Sequence, residues 1–402
     1  MLEFMMIYPV MVTGQFSESF PPIMDGVSLT VSNYVAGLNQ TLGPAYAVVP
    51  AIPHCCPQQY GEVYKYFSVP LMFRPPYRVG LPQLDLSLHA ELHRVKFDLV
   101  HAHSPFSAGR LALRLARRRG IPIVATFHSK FRENFERLVP ITRVVDWEIQ
   151  RIVDFYRAVD EVWVPTYASL KTLRDYGYRG AAQVVRNGVD LEPPANGESL
   201  RARGEKLLGV RPADFLLLYV GQLAWEKNLA LLVQSLGALR RSGGTFRMVF
   251  IGEGYASAAL EDMVARLGLS DCTTFTGVMH DRAALASCYA RADCFLFPSL
   301  YDTNGLVVIE AAAFGVPSLL IQGSDAAEGV TDGINGFLAD NSVQDYSAKL
   351  RWLLGHAEAA RGAGNGARLS LYRSLSSTVE EVRERYIRLK HKRQLCGEPI
   401  SA

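Results

Sequence analysis

The sequence predicts an α/β protein made of two successive doubly wound domains, each a parallel sheet covered by helices. Three observations lead there. A chain of 402 residues exceeds what one core usually holds, so two domains of roughly 150–200 residues are expected. Short β-rich runs alternate with longer helical patterns, which is the mark of βαβ units and parallel sheets. The alternation stops once, at the polar connector Leu191-Glu192-Pro193-Pro194-Ala195-Asn196-Gly197, and then restarts.

In the first half, strands are expected over residues 4–12, 97–101, 121–127, 161–165 and 183–186, with helices over 28–42, 106–119 and 139–159. In the second half, the strands are 215–220, 247–251, 273–276, 294–298 and 317–321. The helices there are 228–241, 256–267, 283–291, 306–314 and 342–354. Residues 376–393 read as one long charged helix. The expected organisation is therefore a first domain over 1–190, a linker over 191–212 and a second domain over 213–375. A C-terminal helix over 376–402 is expected to pack back across both. Two such sheets facing each other leave a cleft at their C-terminal strand ends, where open α/β sheets bind ligands.

Composition narrows the function. A hydrophobic share of 49% and a charged share of 20% are ordinary for a globular enzyme. A net charge of +3 is too small to point to nucleic acid as a partner. The six cysteines (Cys55, Cys56, Cys272, Cys288, Cys294, Cys396) are scattered, without CxxC pairs or histidines at zinc spacing, so they read as reduced thiols. Residues 1–13 lack a basic start, and no run of about 20 apolar residues is present. The expectation is a cytoplasmic enzyme.

The strongest chemical pattern is Pro298-Ser299-Leu300-Tyr301-Asp302-Thr303-Asn304-Gly305-Leu306, followed by an apolar helix that carries Glu310. Glu310 is the only charged residue between Asp302 and Asp325, and a buried carboxylate needs a donor partner. One reading pairs it with a structural Arg. The other uses the whole pattern: free N–H groups at a buried helix start bind an anion, Gly305 admits a ligand to the backbone, and Glu310 receives hydroxyls. A diphosphate joined to a ribose suits that second reading. The next pattern is Gly221-Gln222-Leu223-Ala224-Trp225-Glu226-Lys227, a strand leading to a helix, with Lys227 where the dipole disfavours a cation unless an anion is near. The alternative is an exposed Lys offset by Glu226. Gly252-Glu253-Gly254 also lies between a strand and a helix, but one glycine pair is a weak dinucleotide signal.

The order of these motifs resembles glycosyltransferase family 4, retaining sugar transferases of the GT-B fold, over nearly the whole chain. In the first half the resemblance is carried by Phe20-Pro21-Pro22-Ile23-Met24-Asp25-Gly26-Val27, Asp98 to Pro105, Thr126-Phe127-His128-Ser129 and Arg186-Asn187-Gly188-Val189-Asp190. Gly221 to Lys227 and Asp302 to Glu310 carry it in the second. The resemblance implies a nucleotide-diphosphate sugar donor and a sugar or lipid-linked acceptor, with no cofactor and no metal. It also implies roles. Lys227 neutralises the diphosphate, Glu310 holds the ribose, and the Asn304-Gly305-Leu306 backbone holds the distal phosphate. Asp302 bonds sugar hydroxyls, Gly26 lets the donor phosphate or the acceptor come close, and His128 lies over the reacting sugar as a positioning residue; Gly252 is expected among the donor-binding residues. The sequence departs from the family at three positions: Asp302 for the commoner Glu, Asn304 for Phe, and Gln222 for Arg. The lost Arg charge is expected to be partly replaced by Lys130 or Arg132.

No Asp-x-Asp pair of the kind that grips a divalent ion on a diphosphate occurs. His101 and His103 invite a metal reading, yet no acidic residue stands at fixed spacing. Acceptor recognition is expected in the first half. Tyr60, Tyr64, Tyr66, Phe67, Phe73 and Tyr77, with Pro70, Pro75 and Pro76 beside Arg74 and Arg78, either stack sugars or pack as strands in the core. Arg110, Arg114, Arg117 and Arg118 lie on a basic amphipathic helix, which either touches an anionic membrane face or is a solvated surface with its leucines inward. Two other readings are kept. One is a catalytically weak nucleotide-sugar-binding or scaffold protein, motivated by Gln222. The other is a nicotinamide-dependent dehydrogenase using Gly252 and Gly254, which lacks a clear ribose-binding acid.

Overall fold

The computed structural model describes residues 10–53, 62–71, 77–139, 141–193 and 197–396. The chain forms two compact units, 1–187 with 375–402, and 188–374.

The first unit runs β1 (Thr13–Phe16), α1 (Gly26–Thr41), β2 (Ala45–Pro50), β3 (Val63–Tyr66), β4 (Ser68–Pro70), β5 (Arg78–Gly80), α2 (Leu86–Arg94) and β6 (Leu99–Ala102). It continues through α3 (Ser107–Arg119), β7 (Ile123–Thr126), α4 (Phe131–Leu138), α5 (Thr142–Arg157), β8 (Glu161–Val164), α6 (Tyr167–Asp175) and β9 (Gln183–Val184). Seven strands form one sheet in the order β3-β2-β1-β6-β7-β8-β9, while β4 and β5 pair as a separate antiparallel ribbon. All pairings in the large sheet are parallel. Strands such as Ile123–Thr126 are buried along their whole length, as expected where helices cover both faces.

The second unit runs α7 (Gly197–Leu208), β10 (Leu216–Val220), α8 (Leu229–Arg241), β11 (Arg247–Ile251), α9 (Ser257–Arg266), β12 (Thr273–Phe275), α10 (Arg282–Arg291) and β13 (Cys294–Phe297). After these come α11 (Leu306–Ala313), β14 (Ser318–Ile321), β15 (Phe337–Ala339), α12 (Val343–Gly355) and α13 (Ala357–Ser370). Its sheet has the order β12-β11-β10-β13-β14-β15, again parallel throughout. In each sheet the winding direction reverses once, between β1 and β6 and between β10 and β13. Within each unit the loops that follow its two strands therefore open a crevice of the kind that suits a ligand.

Several elements differ from expectation. Residues 10–12 precede β1 rather than belonging to a strand over 4–12, and residues 1–9 lie outside the described residues. The helix expected over 139–159 is α5, Thr142–Arg157, and the short helix α4, Phe131–Leu138, precedes it where none was expected. The segment expected as a linker, 191–212, contains α7. That helix packs on α10 so closely that a methyl added at Gly204 would collide with the Ser287 carbonyl. Fully buried Arg291 of α10 donates to the carbonyls of Arg211 and Asp214 at 2.8 and 2.7 Å, fixing the chain after α7.

The C-terminal helix α14 (Leu375–Cys396) belongs to the first unit. Val379, Val382, Tyr386 and Leu389 recur at helical spacing and are buried with Leu38, Leu99, Val124 and Trp163. Lys390 reaches Asp98 at 2.7 Å and Thr378 donates to the Arg186 carbonyl at 3.3 Å. Val382→Asp is therefore expected to lower stability by about 3 kcal/mol or more, since it buries an unpaired carboxylate. Exposed Arg388→Asp is expected to shift it by no more than about 0.5 kcal/mol. Urea midpoints of the two variants check this.

Candidate active site

In the second unit the site is built around the reversal between β10 and β13. After β10 the chain makes a tight 3₁₀ turn, Trp225–Lys227, and then Asn228 at φ 58°. It is the one non-glycine residue with positive φ among the described residues, a conformation Asn tolerates better than most side chains. Its amide donates to the Pro298 carbonyl at 3.2 Å and to Asn341 Oδ1 at 2.9 Å. The turn is thus tied to the end of β13, and Lys227 Nζ lies 2.5 Å from Asp302 Oδ1. Lys227 is held in a turn of its own before α8, and the anion it needs is Asp302.

The Asp302 loop is shaped by Ser299, whose Oγ accepts from the amides of Tyr301 and Asp302 at 3.2 and 3.3 Å. It ends at Gly305, φ 53°, which starts α11 with no side chain capping the helix. Leu306 is the first helical residue. Asp302 Oδ2 and Asn304 Nδ2 are buried without hydrogen-bond partners. Such atoms cost about 1–3 kcal/mol each and call for an occupant able to hydrogen-bond. Gln222, half-buried, lends its carbonyl to the Tyr219 hydroxyl at 3.0 Å.

Gly252 and Gly254 have a packing role. Gly252, at φ 137°, abuts the Gly221 carbonyl, and Gly254 abuts that of Leu223. A side chain at either position would push the β11 loop off the Lys227 loop, so the glycine pair fits here without any dinucleotide.

Glu310 is 4% exposed. One carboxylate oxygen accepts from Arg282 at 2.8 Å and the other from the Tyr289 hydroxyl at 2.8 Å. Arg282 also pairs with Asp190. Burial works against the Arg282 charge, but Glu310 and Asp190 outweigh it and hold its pKa above the usual value. Burial, then the charge of Glu310, pushes the Tyr289 hydroxyl well above its ordinary range. The structural pairing foreseen as one reading is therefore present. A carboxylate has about four acceptor sites, so two remain for hydroxyls.

In the first unit, Gly26 opens α1. Its cap, Asp25, accepts from the Ser28 amide at 2.8 Å, from Ser19 at 2.6 Å and from Tyr77 at 3.0 Å. His128 is buried after β7, with Nε2 3.1 Å from His103 Nδ1. Burial lowers its pKa to about 4, so it is neutral at pH 7. His103 Nε2 meets Gln15 Oε1 at 2.9 Å, and His101 meets Tyr386 and Thr126 at 2.6 and 2.7 Å. All four nitrogens of His101 and His103 are thus engaged by protein groups, which leaves a metal no ligand atom from them. Lys130 precedes α4. Arg132 is held by Asp146 at 2.8 Å and Glu136 at 3.5 Å. Tyr64 packs on Tyr46, Tyr66 is fully buried and Phe67 is exposed; Tyr60, Phe73, Arg74, Pro75 and Pro76 lie outside the described residues. Arg114, Arg117 and Arg118 are exposed on α3, while Leu111, Ala112 and Ala116 face the core.

Comparison with known proteins completes the picture. Residues 205–370 match the description "Glycosyl transferases group 1" and residues 24–193 match "Glycosyltransferase Family 4". The chain belongs to the family 4, group 1 glycosyltransferases. Among its relatives is the alpha-monoglucosyldiacylglycerol synthase of Acholeplasma laidlawii, 26% identical over 82% of this chain and 85% of the relative. The sulfoquinovosyl transferase SQD2 of Arabidopsis thaliana is 32% identical over 74% of this chain and 58% of the relative. The structure of Anabaena HepE in complex with UDP and glucose superimposes with a TM-score of 0.74 at 19% identity, covering 93% of this chain and 99% of that one. The glycosyltransferase fold is GT-B, with two domains of parallel sheets.

Sequence reasoning did not single out Arg282, Tyr289 or Asn228 in this glycosyltransferase. Asn228 directly after Lys227 was the one readable signal, since Asn at the end of a turn suits a left-handed backbone. Arg282→Ala leaves Glu310 without its ionic partner. The expected loss is about 2–3 kcal/mol, toward the low end for a broken buried pair because the Arg282 side chain is 34% exposed. Chemical denaturation of Arg282→Ala, Glu310→Ala and the double variant checks it; the double variant should be less unstable than the two losses added together.

Proposed function

We propose that the protein is a retaining, metal-independent hexosyltransferase that moves a hexosyl group from a UDP- or GDP-sugar to a sugar, glycolipid or other small acceptor with an α linkage. The observation that carries this reading is Lys227 held at 2.5 Å from Asp302, beside unpartnered Asp302 Oδ2 and Asn304 Nδ2 at the uncapped start of α11. On donor binding, Lys227 turns from Asp302 to the diphosphate. The N–H groups at Asn304-Gly305-Leu306 take the distal phosphate with the helix dipole behind them. Asp302, released, accepts sugar hydroxyls, and Glu310 accepts those of the ribose through its two remaining sites.

The bond from the anomeric carbon to the phosphate oxygen then breaks while the acceptor oxygen bonds the same carbon on the same face. The acceptor proton passes to the departing phosphate oxygen. Charge building on that oxygen is stabilised by fixed donors aimed at it beforehand. Neutral His128 positions the sugar and is not the base. Gln222 supplies no charge, and Lys130 is the residue proposed to compensate; Arg132, tied to Asp146 and Glu136, is the weaker choice. The names of the relatives support this donor and acceptor class. Curated relatives include a glucosyldiacylglycerol synthase and a GDP-mannose-dependent alpha-mannosyltransferase of Corynebacterium glutamicum, 27% identical over 90% of this chain. Gln222 favours the second reading, a sugar-nucleotide binder with weak turnover.

A lipid-linked acceptor implies contact with a membrane surface. Among the described residues no helix is long and apolar enough to cross one. Arg114 and Arg118 of α3 line a groove with Leu86, His89 and His93 of α2, and Leu86 is 82% exposed. That combination of basic and apolar groups suits peripheral contact with anionic lipid.

Two experiments test these readings. With UDP- and GDP-sugars, Lys227→Ala is expected to lower turnover roughly ten- to hundredfold, the worth of one charge-assisted contact. EDTA should leave the wild type unchanged and Lys130→Ala should weaken donor affinity. A wild type that binds donor but releases no nucleoside diphosphate with any acceptor would favour the binding-protein reading. Vesicles containing anionic lipid are expected to co-sediment the wild type and lose it on Arg114→Glu/Arg118→Glu; equal binding to neutral vesicles would contradict the membrane reading.

A further inference from the structure

The buried histidines of the first unit form a continuous hydrogen-bond chain that the reaction scheme does not use. It begins on the C-terminal helix. Tyr386 Oη lies 2.6 Å from His101 Nδ1 and receives the Gln15 amide nitrogen at 3.3 Å. The chain continues from Gln15 Oε1 to His103 Nε2 at 2.9 Å and from His103 Nδ1 to His128 Nε2 at 3.1 Å. We propose that Tyr386, acting through Gln15 and His103, is a positioning residue that fixes the tautomer of His128. The proposal rests on the reading of His128 as the group beside the reacting sugar.

The argument is one of donors and acceptors. An amide nitrogen only donates, so Tyr386 accepts from Gln15 and passes its own proton to His101 Nδ1. Neutral His101 then carries its proton on Nε2 and donates to Thr126 Oγ1 at 2.7 Å. An amide oxygen only accepts, so His103 carries its proton on Nε2 and leaves Nδ1 as an acceptor. His128 must therefore donate from Nε2, which fixes where its own proton sits. Burial keeps the three rings neutral, pushing His101 and His103 well below the usual histidine range and His128 to about 4. Turning the Gln15 amide over reverses each later member of the chain and moves the His128 proton to Nδ1. The Tyr386 hydroxyl ties that direction to His101: its one proton goes to the ring nitrogen at 2.6 Å rather than to Gln15 Oε1 at 3.5 Å, which leaves the hydroxyl to accept from the amide nitrogen at 3.3 Å.

Position favours a clean test. The Tyr386 ring stacks on Trp163 with centroids 5.6 Å apart and planes 17° apart, so Tyr386→Phe keeps the packing and removes only the hydroxyl. The measurement is the ¹⁵N imidazole spectrum of the full chain, with His128 assigned through His128→Asn. The wild type is expected to show one His128 tautomer, protonated at Nε2. Tyr386→Phe should show both tautomers in comparable amounts, with kcat lowered about tenfold and donor KM within about twofold of wild type, as for a misplaced positioning group. Gln15→Met carries the same readout from the β1 side should the first variant fold poorly. A single, unchanged His128 tautomer in a folded variant overturns the proposal. Mixed tautomers with wild-type turnover support the chain and overturn the placing of His128 beside the sugar.

Discussion

The second unit is organised around one ion pair, Lys227 with Asp302. It joins the loops that leave β10 and β13, the two strands between which the sheet reverses direction. Those loops diverge by topology, and something must hold them at the crevice. Asn228 supplies the backbone part through its left-handed turn and its bond to the Pro298 carbonyl. Lys227 supplies the charged part. An ion pair of this kind, 18% and 22% exposed, is modest as a stabilising element, but it keeps a cation ready where a diphosphate would otherwise have to recruit one.

The surroundings follow from that arrangement. Gly221, Gly252 and Gly254 let the β10 and β11 loops touch backbone to backbone, which brings the Lys227 turn close to the sheet. One turn into α11, Glu310 is held by Arg282 and Tyr289, and Arg282 by Asp190. A carboxylate fixed by two donors presents its remaining lone pairs in fixed directions, which is the preorganisation that polar recognition requires. The first unit uses the same principle in neutral form, with three buried imidazoles aligned by a glutamine and a tyrosine.

Much of the fold was legible because buried parallel strands announce themselves as short apolar runs. β11 was anticipated over its full length, and β10, β13 and β14 to within one residue. Lys227, Asp302, Gly305 and Glu310 were legible as strand-to-helix punctuation with polar residues where apolar ones were expected; the structure places the first three on adjoining loops of the second unit and Glu310 one turn into α11. What was missed depends on distant contacts. α7 has too little apolar content to stand out and forms against α10. Arg282 lies 28 residues from Glu310 and Tyr386 lies 285 residues from His101, and no local pattern encodes such pairings. His101 and His103 looked like weak metal ligands because spacing alone does not reveal a glutamine on another strand.

The central claim is that Lys227 and the start of α11 form a diphosphate site. Calorimetric titration of the full chain with a nucleoside, its monophosphate and its diphosphate, at one fixed ionic strength, tests it most directly. The account predicts weak binding of the first two and a gain of about tenfold or more on adding the second phosphate, as expected for a new charge-assisted contact. Equal affinity for all three would contradict it.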